Sequence, residues 1–181
     1  MVGKQRYARA IHEAGHAVVA RMLGVSVPRV DVRSSSPQAH SVSAAYQVSG
    51  SDAAAQIVGY ETDAKIALAG LAANRHELPE LRVFDLFEDG DGDTTNARSF
   101  VYRIVALKAG KSAPEQTVSL KLDRDTRRRM DEEYWRLLRE TAALVERWWP
   151  AIRRVAKQLE SHDDLDEVEL DRLIDVGMRS M

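Results

Sequence analysis

The chain has 181 residues, 44% of them hydrophobic, a formal net charge of −2 and no cysteine. That length suits one domain able to bury a core. The near-neutral charge offers no general attraction to nucleic acid or anionic membrane, and the lack of cysteine excludes disulfides and thiolate metal sites. No apolar run approaches the length that crosses a bilayer, and the first residues lack a signal-peptide pattern, so a cytoplasmic protein without a membrane span is expected.

Ala8 to Leu23 has helical periodicity, with Ile11, Ala14, Val18 and Met22 on one stripe. Within it stands His12-Glu13-Ala14-Gly15-His16. Two histidines four apart project from one helix face and can share a metal ion, while the intervening glutamate is placed to take a proton from water. Random placement of the chain's residues would produce only about 0.01 such patterns, so the motif is read as chemistry. Gly15 costs a helix interior about 1 kcal/mol relative to alanine, which implies that another backbone approaches there.

Arg29 to Arg33 alternates as a half-buried strand does, Ser34 to Pro37 reads as a turn, and Ser41 to Val48 supplies a second strand. Together they predict a small sheet beside the metal helix. Ser51-Asp52 would cap a short helix to about Tyr60, and another is expected from Thr62 to near Glu77 with Ile66, Ala69, Gly70 and Ala73 on one face. Leu81 to Gly92 is an acidic loop containing Asp85, Glu88, Asp89 and Asp91. Helical spacing resumes after Asp93 through Ala97, Val101, Ile104 and Val105, and Ala109 to Ser119 is a polar connection.

From Asp123 the chain is helical and charged, with Met130, Tyr134, Leu137, Leu138, Ala142 and Val145 as the buried seam. Pro150 either kinks this helix or opens the next. Ile152, Val155, Ala156 and Leu159 continue the apolar face, and a last helix spans Val168 to Val176 with Asp164 and Asp166 as caps. The fold expected is mainly α with a small β-sheet (α+β). Residues 1–110 form a metal-site half and 120–181 a helical C-terminal part of one domain.

A catalytic zinc commonly takes three protein ligands and a water, so His12 and His16 need a partner. The acidic loop before the fourth helix narrows the choice to Asp89, Asp91 or Asp93 and no further. His12 to Ala20, reading His-Glu-Ala-Gly-His-Ala-Val-Val-Ala, resembles the peptidase domain of FtsH-type ATP-dependent zinc metalloproteases. Leu68-Ala69-Gly70-Leu71-Ala72-Ala73 is similar to that family's small-residue helix, and Asp93-Thr94-Thr95-Asn96-Ala97 fits its aspartate-x-x-x-alanine pattern. The resemblance implies a zincin-like domain in which Asp93 is the third zinc ligand. The chain carries neither the ATPase module nor the membrane anchors that accompany this domain in the family. Asn74-Arg75 also stands where the family tends to have acidic residues.

Other motifs carry less. Gly110-Lys111-Ser112 lacks the upstream glycine of a phosphate loop, where Val105 stands, and Asp89 to Asp93 lacks the glycine and glutamate of a calcium loop. Arg127-Arg128-Arg129 is interleaved with acids and reads as an ion-paired helix face, while Trp148-Trp149 reads as core or subunit contact. The expected activity is that of a zinc-dependent endopeptidase. His12, His16 and Asp93 hold Zn2+, Glu13 is the general base, and an extended polypeptide substrate pairs along Val42, Ser43, Ala44, Ala45 and Tyr46. A separate ATPase acting in trans and a homo-oligomer are the further partners considered. The alternative is a zinc-containing regulatory or scaffolding domain without turnover.

Overall fold

A computed structural model of the chain describes residues 2–32, 52–79, 92–112 and 122–178. Among these, helix α1 spans Val2–Met22, strand β1 Arg29–Asp31, α2 Ala53–Glu77, α3 Gly92–Lys108, α4 Arg124–Ser161, β2 Asp164–Asp166 and α5 Glu167–Met178. The described chain is thus mainly helical with one small antiparallel sheet, as its composition and periodicity predict. None of its helices is long and apolar enough to cross a membrane.

The apolar stripes meet in two clusters. One joins α1 to α4 and α5 through Ile11, Val18, Ile152, Leu159 and Leu170, and the sheet adds Val30 and Leu165. The other joins α2, α3 and α4 through Leu68, Val101, Ile104, Tyr134 and Leu137. Helix α2 lies between them. Ala69 and Ala73 face the first cluster and Ala64 and Leu68 the second. A helix buried on two sides needs apolar residues around most of its circumference, which is why its stripe is poorly defined in sequence.

Local signals set most helix ends. Asp52 caps α2 by accepting from the Ala55 amide at 2.7 Å, and Asp123 caps α4 by accepting from the Thr126 amide at 2.8 Å. Gly24 and Gly110 adopt positive φ of 79° and 71° just past α1 and α3. At each, the glycine amide and the next one turn back onto the last helical turn: Gly24 to the Arg21 carbonyl at 3.1 Å and Val25 to that of Ala20 at 2.9 Å, and Gly110 to the Leu107 carbonyl at 2.9 Å and Lys111 to that of Ala106 at 3.0 Å. Gly110 therefore closes a helix, where a phosphate loop would open one.

Several boundaries differ from the sequence expectation. The two helices expected on either side of Glu61 are one continuous α2, because Tyr60, Glu61 and Thr62 carry no breaker and Thr62 Oγ1 simply donates back to the Val58 carbonyl at 3.0 Å. Of the two readings of Pro150, the opening of a new helix does not hold: the residue sits exposed inside a continuous α4, where it forfeits a backbone hydrogen bond. In the α4 seam Ala142 is exposed and Thr141 is buried instead, its hydroxyl satisfied by the Leu137 carbonyl at 2.8 Å. Of the other expected seam residues, Tyr134, Leu137, Leu138 and Val145 are buried and Met130 is partly buried.

The described sheet includes a strand that the sequence reading did not name. β1 forms within the predicted Arg29 to Arg33, but it pairs with β2, with Val30 opposite Leu165. The expected partner, Ser41 to Val48, lies outside the described residues. Asp164 and Asp166 read in sequence as caps, and Asp166 is one: its carboxylate accepts from the Glu169 amide at 2.8 Å, while Glu169 reaches back to the Asp166 amide at 3.4 Å. One aspartate serves both the strand and the helix that follows.

Candidate metal centre

α1 and α2 pack against each other, and small residues make the approach close. A methyl group on Gly15 would stand 2.8 Å from the Ala69 carbonyl oxygen and 2.8 Å from the Ala73 Cβ. Gly15 is therefore the contact point that its place in a helix interior implied. A methyl group on Gly70 would stand 2.5 Å from His16 Nε2 and 2.6 Å from His12 Nε2. The hydrogen at Gly70 leaves the volume into which both rings project.

The two rings, 8% and 6% exposed as residues, converge with Asp93 from the first turn of α3. His12 Nε2 lies 3.0 Å from His16 Nε2, and Asp93 Oδ2 lies 2.9 Å from the first and 3.1 Å from the second. Two imidazole nitrogens and a carboxylate oxygen converge on one point, an arrangement that either shared protons or a cation satisfies. Tetrahedral nitrogen and oxygen ligands with zinc bond lengths of about 2.0–2.1 Å would be separated by about 3.3 Å, so the observed triangle needs only a few tenths of an ångström of relaxation to fit zinc. Among the described residues, His12, His16 and Asp93 thus form a group that could hold a metal ion.

The electrostatics in the metal-free state follow from this crowding. Burial disfavours charge on His16, but the charge of Asp93, its hydrogen bond, the charge of Glu13 and the Ile66 carbonyl together push the ring up to about 9. Burial acts on Asp93 in the opposite sense to its histidine partners, which win and hold its carboxyl well below the usual carboxylate range. Glu13 is partly buried, and burial raises it above an ordinary glutamate. His12, His16 and Arg9 pull it down and Asp93 pushes it up, which places its carboxyl within the field of the centre.

Two contacts orient the rings. His16 Nδ1 donates to the Ile66 carbonyl at 2.7 Å, which fixes its proton away from the centre and turns Nε2 inward. His12 Nδ1 lies 3.3 Å from Asn74 Nδ2, and Asn74 is buried at 1% exposure. Ile66, Gly70 and Asn74 recur every four residues on α2, so one helix face supplies a backbone acceptor, a gap and an amide to the two rings. Their common spacing was the available signal. In sequence, Asn74 stood out only as a departure from the resembled family, and Ile66 only as part of the apolar stripe.

Of the residues expected at the site, His12, His16, Glu13 and Asp93 are brought together. Val42, Ser43, Ala44, Ala45 and Tyr46, the expected substrate strand, lie outside the described residues, as do Asp89 and Asp91, the rival carboxylates. The basic run on α4 is ion-paired as expected: Arg128 meets Asp125 at 2.7 Å and Glu132 at 3.0 Å, and Arg129 meets Asp125 at 2.8 Å. Trp148 and Trp149 pack against the first core cluster. Compared with known protein families and with curated proteins, the chain matches none.

Proposed function

We propose that the chain is a zinc-dependent endopeptidase that cleaves unfolded or exposed polypeptide segments, with the chemistry of the FtsH-type peptidases that its sequence resembles. The observation that carries this reading is the meeting of His12 Nε2, His16 Nε2 and Asp93 Oδ2 within 3.1 Å of one another, on a helix that carries Glu13 between the two rings.

His12, His16 and Asp93 would hold the ion, with the remaining position of a tetrahedron left to water or substrate. Zinc held there would supply Lewis acidity, lowering the pKa of a coordinated water toward about 7 and polarising a peptide carbonyl. Glu13 would accept the proton from the attacking water and return it to the departing amine nitrogen. A base that must give its proton up again works best when its pKa approaches the working pH, and the burial that lifts Glu13 moves it in that direction. Asp93 stays ionised over the whole physiological range because both histidines favour its charged form.

Glu13→Gln tests the role of the base. The variant is expected to keep one zinc per chain and to cut an unfolded protein substrate about 10²–10⁴-fold more slowly, as measured by the appearance of new amino termini. A wild type that binds zinc but leaves every unfolded substrate intact would instead be a zinc-containing regulatory or scaffolding domain.

A further inference from the structure

One side of α4 carries a row of residues that neither core cluster uses. Arg124, Arg128, Asp131, Trp135, Arg139 and Glu146 are all exposed, and helix geometry sets each within about 40° of Trp135 around the axis. Eleven residues make close to three turns, so Arg124, Trp135 and Glu146 stand nearly in line with the indole midway. Trp135 is 52% exposed and is the one exposed aromatic among the described residues. A half-bare indole flanked by arginines has the make-up of an interface anchor. Among the described residues Arg124, Arg139 and Glu146 have no ion-pair partner. Arg124 and Glu146 cannot serve each other within one chain, because the helix holds them about 33 Å apart.

The charges along this row reverse about Trp135. Eleven residues before it stands Arg124 and eleven after it Glu146; four before it stands Asp131 and four after it Arg139. A second copy laid antiparallel, with a twofold axis beside Trp135, brings Arg124 level with the partner's Glu146 and Arg139 level with the partner's Asp131. The symmetry makes each contact twice. Asp131 has only a long contact to Arg98 in its own chain, at 3.9 Å, and can accept another donor. Arg128 comes level with the partner's Ala142, which is small, and its own charge is already met by Asp125 and Glu132. A parallel copy would instead set Arg124 against the same arginine. We propose that the chain pairs with a second copy of itself through this face of α4, antiparallel about Trp135. The proposal does not depend on the metal centre.

Sedimentation velocity of the full chain tests it, on wild type, Trp135→Ala, Arg124→Glu, Glu146→Arg and the double variant Arg124→Glu/Glu146→Arg. One helix pair is a small contact, so a dimer with a dissociation constant of about 10–100 µM is expected, weakening as salt rises. Trp135→Ala and each single charge reversal are expected to weaken it at least about tenfold, since every change is felt twice in a symmetric dimer. The double variant is expected to return to within about threefold of wild type. Such a rescue requires the two positions to meet between chains. A wild type still monomeric at about 500 µM, a dimer indifferent to Trp135→Ala, or a double variant no better than its parents would overturn the proposal. Should Trp135→Ala lose its helical circular dichroism, the charge-reversal set decides alone.

Discussion

His16 is subject to two competing demands. In the metal-free site Asp93, Glu13 and the Ile66 carbonyl overcome burial and favour its protonated form, up to about 9 against an ordinary 6.5. Zinc requires the same nitrogen without its proton. Because the folded value is raised, the ring's contribution to metal-free stability is complete below about pH 6.5 and is lost as pH rises through about 9. Asp93 is lowered from an ordinary 3.8, so its contribution is present above that value and disappears only in strong acid. The melting temperature of the metal-free protein is therefore expected to fall between pH 6.5 and 9, while zinc affinity rises about tenfold per pH unit over the same window as one proton is displaced. Melts and zinc titrations across that range check both slopes. A metal-free stability that rises with pH there would contradict the assigned His16–Asp93 pairing.

At the scale of elements, the contact between α1 and α2 depends on two glycines with different tasks. Gly15→Ala gains helix propensity of about 1 kcal/mol but drives a methyl group into the Ala69 carbonyl and Ala73, an overpacking that costs about 1–3 kcal/mol. Its expected signature is a lower denaturant midpoint. Gly70→Ala places its methyl group on the histidine nitrogens, so zinc binding is expected to fail even where the helical spectrum survives. Equal zinc binding by Gly70→Ala and wild type would mean that the rings do not meet beside α2. Helix α1 was legible in sequence because His12, Glu13 and His16 combine a recognisable spacing with a strong apolar period. α2 was not read as one helix. Its stripe is blurred by burial on two faces, and nothing at Tyr60 to Thr62 either breaks or marks it. β2 was missed for another reason: three residues, two of them aspartates, show no strand period, and the pairing depends on the distant Val30.

Across the molecule, α4 links what the other elements separate. At 1.5 Å per residue its 38 residues extend about 57 Å, and its N-terminal half enters the cluster around α2 and α3 while its C-terminal half enters the cluster around α1 and α5. It thereby holds α1, bearing the two histidines, and α3, bearing Asp93, against the same α2. Further ties reinforce the α1 side: Arg21 grips both oxygens of Asp171 at 2.8 and 2.6 Å and reaches Glu167 at 3.1 Å. Charged helix faces and local caps announced α4 and α5 in sequence. That Asp93 meets the two histidines could not be read that way, since a carboxylate 77 residues from His16 is brought to it by packing rather than by spacing.

Zinc-edge X-ray absorption on the full chain, compared with Asp93→Asn and His16→Ala, addresses the metal centre most directly. The expected result is one zinc per wild-type chain with two imidazole nitrogens and oxygen ligands at about 2.0–2.1 Å, and loss of the metal in both variants. Zinc held by a single imidazole, or retained undiminished in either variant, would contradict it.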